Sequence, residues 1–371
     1  MRWAHLLVLL GACYRSPADG ECRVTSCSGG GDDGGPGQEG GGGDGGGDGG
    51  PNQVCAGVPG SFLQTCFDPV PPARTLSGTF DTGGVMCDRT LTSPEACIVV
   101  VDTVPSGTIV QVTGARALVL WSASTLTVDG QIDAASHSVG TPKTGPGSPE
   151  SCTIVAGAQG GGGPGGAFAG SAGNGGDATG AGGTADSGIN SLDHIRAGCP
   201  GGPGGLPNRG LGGNQGGAVY LMAHDAVVVG GIINASGGGG FAAGMAGGGG
   251  GGGSGGLIGL DAPTVTITQL GHAFAVGGGG AGGGGSTSGG TSGKEASCCA
   301  VVGAMRASSS DGTNFGGSGA TGTSTGESGG PGNGGAGASG GGGGGGSTGF
   351  IKVFFSAALT LDGEVNPPPS N

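Results

Sequence analysis

The sequence predicts an all-β protein built as a parallel β-solenoid, and three observations predict it. A nine-residue pattern recurs without gaps as Leu126-Thr127-Val128-Asp129-Gly130-Gln131-Ile132-Asp133-Ala134, as Val227-Val228-Val229-Gly230-Gly231-Ile232-Ile233-Asn234-Ala235 and as Leu359-Thr360-Leu361-Asp362-Gly363-Glu364-Val365-Asn366-Pro367. Each copy follows a second apolar strand in the same register, in which Leu118, Val219 and Ile351 align, as do Leu120, Leu221 and Val353. The composition is 104 glycines in 371 residues, with 4% aromatic and 10% charged residues, against a usual glycine share of about 7%. Such a chain cannot fill one large core, but short strands stacked in a line can bury a narrow one.

One face of each copy is apolar or small, which is the period of a strand with one buried face. A strand pair of this kind cannot bury that face alone, so the repeats must stack. A weaker copy begins Gly256-Leu257-Ile258-Gly259-Leu260-Asp261-Ala262, continues Val265-Thr266-Ile267 and needs one inserted residue to reach Gly271 and Ala275. Thr108-Ile109-Val110-Gln111-Val112 is an earlier strand candidate. Gly130, Gly231 and Gly363 suit bends between strands.

The N-terminus reads as an export signal over residues 1–12. Met1-Arg2 is positive, residues 3–10 are apolar and Gly11-Ala12 are small residues before a cut. Leu10-Gly11-Ala12-Cys13 resembles the bacterial lipobox, which implies lipidation of Cys13; a plain secretory signal is the alternative. No later run of about 20 apolar residues offers a spanning helix. Residues 13–53, almost wholly Gly, Asp, Pro, Glu and Gln from residue 28 on, are expected as a flexible tether of roughly 35 Å root-mean-square span.

Eleven cysteines in an exported chain predict disulfides. With Cys13 set aside, nearest neighbours pair as Cys22–Cys27, Cys55–Cys66, Cys87–Cys97 and Cys152–Cys199. Cys298 and Cys299 are left to bond each other or exchange with another pair, so spacing alone leaves the connectivity open. Residues 54–105 are expected as a cysteine-containing cap, and residues 106–371 as the solenoid. No Cys or His spacing fits a metal site, and no cofactor is expected.

Glycine-rich insertions are expected at 137–216, 237–256 and 277–349, emerging on one face of successive coils. Within them Gly201, Gly204, Pro207, Gly210, Gly213 and Gly216 fall every third residue, as does a longer series from Gly316 to Gly340. Glycine at every third place lets extended three-fold helices of the polyglycine-II kind pack without side chains between them; mobile surface loops are the competing expectation. Ala172-Gly173-Asn174-Gly175-Gly176-Asp177 is a single imperfect copy of a calcium-repeat pattern.

The block from Gly250 to Ala262, with Ala117-Leu118-Val119-Leu120 and the Ile132-Asp133-Ala134 ending, resembles glycine-rich surface lipoproteins of myxobacterial type. The resemblance covers roughly residues 75–371. It implies a right-handed parallel β-helix of the pectin-lyase-like kind and a cell-envelope location at the outer membrane or cell surface. The glycine segments are also similar to those of phage tail-fibre adhesins, in which glycine helices form a sandwich under variable loops.

The formal net charge is −13, with seven of the 25 acids in the first 48 residues and the 12 basic residues scattered singly. That distribution excludes a phosphate-neutralising patch and argues against nucleic-acid binding. The expected role is structural or adhesive and not enzymatic. The partners would be a membrane, through the lipid anchor, and a glycan or another cell surface. The enzymatic alternative is a polysaccharide lyase or hydrolase on a β-helix scaffold, which needs clustered carboxylates and a basic residue. Its candidates are Asp193, His194 and Arg196 in one loop, His224-Asp225 at a strand end, and His272 near Lys352. Ice binding, on a flat Thr or Gly face, is a third option. Asp133, Asn234 and Asn366 share one repeat position and are expected as a hydrogen-bond ladder at a turn.

Overall fold

A computed structural model describes residues 53–84, 86–138, 143–150, 152–189, 191–296 and 339–370. All belong to the compact unit Gly49–Asn371. The export signal, the tether, Cys13, Cys22, Cys27, Cys298, Cys299 and most of the series from Gly316 to Gly340 lie outside the described residues.

Nineteen strands and no helix occur among the described residues. Strands β1 (Val54–Ala56) and β2 (Thr65–Phe67) form an antiparallel hairpin. Then follow β3 (Gly78–Asp81), β4 (Arg89–Thr92), β5 (Glu95–Val100), β6 (Thr103–Val104) and β7 (Ile109–Thr113). Four strand triplets complete the set: β8 (Ala117–Ser122), β9 (Thr125–Val128) and β10 (Gln131–Asp133); β11 (Ala218–Ala223), β12 (Ala226–Val229) and β13 (Ile232–Asn234); β14 (Leu257–Asp261), β15 (Thr264–Ile267) and β16 (His272–Phe274); β17 (Phe350–Phe354), β18 (Ala358–Leu361) and β19 (Glu364–Asn366). Each triplet gives one strand to each of three sheets. Sheet I runs β3-β7-β10-β13-β16-β19, sheet II β4-β5-β8-β11-β14-β17, and sheet III β6-β9-β12-β15-β18. Neighbours are parallel throughout, save that β4 pairs antiparallel with β5 and makes sheet II mixed.

The strand registers carry the core. Leu118 pairs with Val219, Val219 with Ile258 and Ile258 with Ile351. These residues face inward with Leu126, Val128, Ile132, Val227, Val229 and Ile233, all fully buried in one cluster. Removing an aliphatic side chain of this kind from water contributes about 1.5–3 kcal/mol.

Sheet II is buried on its other face too. Val119, Trp121, Tyr220, Met222 and Phe350 form a second cluster with Phe67 of the hairpin and with Phe168, Leu192 and Ile195. Phe67 meets Trp121 edge-on at 4.8 Å, and the indole nitrogen of Trp121 donates to the Thr65 carbonyl at 3.3 Å. Burial on both faces explains why β8 and β11 read as continuous apolar runs. Tyr220 lies across its pair partner Gly259, where a Cβ would collide with the ring. The phenol donates to Asp261 at 2.8 Å, and the other oxygen of Asp261 accepts from Val58 N–H at 2.8 Å. A fully buried carboxylate thus fastens the loop of the hairpin to sheet II, and burial raises the pKa of Asp261.

The glycine segments correct the expectation of insertions on a solenoid surface. Residues 248–256 are buried and bond outward with a period of three. Gly248, Gly251 and Ser254 donate to Gly205, Gly202 and Cys199 at 3.1, 2.9 and 2.9 Å. Gly249, Gly252 and Gly255 donate to Gly341, Gly344 and Ser347 at 2.9, 2.9 and 3.0 Å. Gly250, Gly253 and Gly256 donate to Phe241, Gly238 and Ala235 at 3.2, 2.9 and 2.8 Å. The same segment accepts from Gly210, Gly213 and Gly216, from Gly163 and Gly166, and from Ala281 and Gly278. One extended segment therefore has six bonded neighbours, and each amide is satisfied without a sheet. A Cβ at Gly250, Gly251 or Gly253 would strike the carbonyl of Leu211, Pro164 or Asn214.

The expected fold, a right-handed pectin-lyase-like β-helix carrying glycine loops, is corrected by these findings. The strands lie in separate parallel and mixed sheets with no closed sheet among the described residues. The antiparallel β4 and the separate hairpin depart from an all-parallel repeat. The described parts of the long insertions are not loops but a packed layer whose main chain bonds to itself. The physical reason is that glycine leaves backbone groups with nothing beside them but other backbone, so the segments condense instead of projecting.

Candidate functional site

Three disulfides join Cys55 to Cys66, Cys87 to Cys97 and Cys152 to Cys199. They mark an exported protein, because such bonds persist in oxidising compartments. No helix among the described residues is long and apolar enough to cross a membrane.

The structure brings part of the enzyme candidate set together. His194 bonds Asp193 through Nδ1 at 2.6 Å and Glu150 through Nε2 at 2.8 Å. Partial burial opposes its charge, but the two carboxylates outweigh that and raise its pKa. Both ring nitrogens face carboxylate oxygens, an arrangement that favours the charged imidazole over the neutral one. Arg196 is buried, stacks over Phe168 at 5.2 Å, donates to the Glu150 carbonyl and lies 3.8 and 3.7 Å from the sulfurs of Cys152 and Cys199. It braces the disulfide. His224 and Asp225 lie elsewhere, with His224 Nδ1 bonded to the Cys55 carbonyl at 2.8 Å, where it holds the hairpin.

His272 is on sheet I, 3.3 Å from Glu364 and stacked on Phe274, whereas Lys352 is on sheet II over Phe350. Asp133 and Asn234 are neighbours in register, yet each side chain accepts from the amide two residues on, at Ala135 and Ser236. The expected ladder is replaced there by two turn caps, formed where the chain leaves sheet I for the glycine layer. Asn174 and Asp177 likewise accept backbone amides, from Ala185 and Gly182 at 2.8 Å.

A charged cluster that sequence reasoning missed surrounds Asp133. His137 Nε2 and Lys143 Nζ each lie 3.0 Å from Asp133 Oδ2, and His137 Nδ1 lies 2.8 Å from Glu295. Burial opposes ionisation of Asp133, but its bonds to His137 and Lys143 hold its pKa below the usual value. Bonds to Asp133 and then Glu295 raise His137 to about 9. Burial lowers Lys143. Only the i,i+4 spacing of Asp133 and His137 is a local signal; Glu295 arrives from 158 residues away.

The far turns of the glycine layer make a groove of about 530 Å³. The turn at 205–209 meets the turn at 157–160, with Gly160 N–H donating to the Leu206 carbonyl at 2.8 Å. It also meets a third turn, where Asn208 Nδ2 donates to the Met245 carbonyl at 2.9 Å and Gly244 N–H to the Asn208 carbonyl at 2.8 Å. Gln159, Leu206, Pro207 and Arg209 line the groove over a floor of Gly157 and Gly204. Leu206 is 59% and Met245 52% exposed. A groove of this size, with apolar walls and few polar groups, suits a small ligand. No protein family, curated protein or solved structure matches the chain.

Proposed function

We infer that this is an exported cell-envelope protein, lipid-anchored through Cys13, with a non-enzymatic structural or adhesive role at the outer membrane or cell surface. The observation that supports the reading best is the self-bonded glycine layer, a platform with little side-chain chemistry whose far turns present Leu206, Met245 and Arg209 to solvent. Exposed apolar side chains beside an arginine have the composition of a contact surface. Replacing residues 205–209 by Gly-Ser-Gly-Ser-Gly should abolish attachment of producing cells, or of beads coated with the full-length protein, to a glycan or cell surface. Unchanged attachment would refute the adhesive reading. Cys13→Ser should move the protein from the membrane pellet to the soluble exported fraction; a mutant that stays bound would refute the anchor.

The polysaccharide-active alternative rests on Asp193, His194, Glu150 and Arg196, two carboxylates and two cations in one place. Release of reducing or unsaturated ends from acidic polysaccharide, lost in Glu150→Gln, would support it. A wild type that releases none removes it.

A further inference from the structure

The geometry points to a binding site for a carboxylate-bearing sugar in the groove between the turns at 157–160 and 205–209. This rests on the adhesive reading, in taking the far turns as the contact surface, and names the ligand class. Among the described residues, Arg209 is the guanidinium for which no acceptor is supplied. Arg74 pairs with Asp88, Arg89 bonds Thr65, Arg116 bonds the carbonyls of Thr82 and Gly83, and Arg196 bonds the Glu150 carbonyl. No carboxylate lines the groove, although acids outnumber bases in the chain by 25 to 12. An unpaired guanidinium beside apolar walls is matched by a planar carboxylate, which it can hold through two parallel N–H···O bonds.

The rest of the lining suits a sugar ring. Leu206, Pro207 and Ala158 offer aliphatic surface to the C–H face of a pyranose, and Gln159 offers an amide that both donates to and accepts from hydroxyls. The glycine floor lets a ring approach the main chain. The walls are preformed, because Gly205 N–H donates to the Gly161 carbonyl at 2.7 Å and Gly160 N–H to Leu206 at 2.8 Å. Binding therefore costs little ordering of the protein. The volume favours a short oligosaccharide over the broad face of a folded partner.

Calorimetric titration of the full-length protein tests this with four probes: a galacturonate trimer, the neutral galactose trimer, an acidic hexapeptide and inorganic phosphate. The galacturonate trimer should bind, and the neutral trimer at least about tenfold more weakly. Arg209→Gln should remove that preference at an unchanged melting temperature, since Arg209 is exposed and bonds nothing among the described residues. Arg209→Lys should restore part of it, keeping the charge but not the two-pronged geometry. Equal affinity for the neutral trimer, binding of the peptide or phosphate alone, no binding at all, or an unaffected Arg209→Gln would overturn the site. Loss of attachment on replacing residues 205–209 without galacturonate binding would show that the ligand class is wrong and the adhesive reading stands. Attachment that survives the replacement would remove that reading, while galacturonate binding lost in Arg209→Gln would keep the site.

Discussion

The stacked sheets and the glycine layer satisfy the same backbone by different means. In the sheets each interior strand has two bonded neighbours, and side chains fill the space above and below. Val219, for example, pairs with Leu118 on one side and Ile258 on the other and is fully buried between sheets. In the glycine layer, residues 248–256 have six bonded neighbours and, apart from the hydroxyl of Ser254, no side chain of their own between them. The sheets are stabilised chiefly by apolar burial, and the layer by close approach and complete hydrogen bonding. A sheet position can therefore be scored by what its side chain buries. A layer position can be scored only by what an added atom would displace.

The sharpest way to break the comparison is a branched side chain in the layer. Gly251→Val places a Cβ against the Pro164 carbonyl and should cost more than about 4 kcal/mol, enough to prevent folding of a marginal unit. Soluble yield and a melting curve would show it. A core truncation in the sheets should cost less and leave a folded protein: Ile233→Ala removes a fully buried side chain and should destabilise by about 2–5 kcal/mol in denaturant titration. Gln131→Lys, on the outward side of sheet I, should stay within about 0.5 kcal/mol.

Tyr220→Phe probes the link between sheet II and the loop of the hairpin. It leaves the buried Asp261 without one of its donors and should cost about 1–3 kcal/mol by the same titration. The charged cluster at Asp133 supplies a pH signature. His137 has a folded pKa of about 9, above its usual 6.5. Its contribution is complete below about pH 6.5 and is lost as pH rises through 9. With screening discounted, about 1–2 kcal/mol of stability should disappear across that window, and His137→Gln should flatten the slope. The smallest effect is expected at Gly170→Ala, where an added Cβ meets nothing within 4 Å; it should stay within about 0.5 kcal/mol.

Much of the sheet register is legible because repetition carries it. Leu118, Val219 and Ile351, which share one repeat position, fall in one inward column of sheet II. The weaker copy carries two extra residues between β15 and β16, not the one expected, and Leu270 among them is 77% exposed. Continuous apolar runs such as Ala117 to Trp121 carry burial on both faces, but nothing local names what covers the second face. The glycine layer is legible in period and not in partnership. Gly201 and Gly204 do bond the carbonyls of Gly213 and Gly210 within their own insertion, yet a residue with no side chain cannot advertise its remaining neighbours. The candidate sites fail for the same reason. Arg209 looks like any surface arginine until the fold shows that no carboxylate lines its groove. Glu295 becomes a partner of His137 only when two insertions condense.

Amide hydrogen exchange over residues 248–256, measured beside residues 218–223 of β11, tests the central claim most directly. The account predicts protection of the glycine amides approaching that of the strand, because both sets are buried and bonded. Exchange of residues 248–256 at free-chain rates while β11 stays protected would contradict it, and the layer would then be a set of mobile loops.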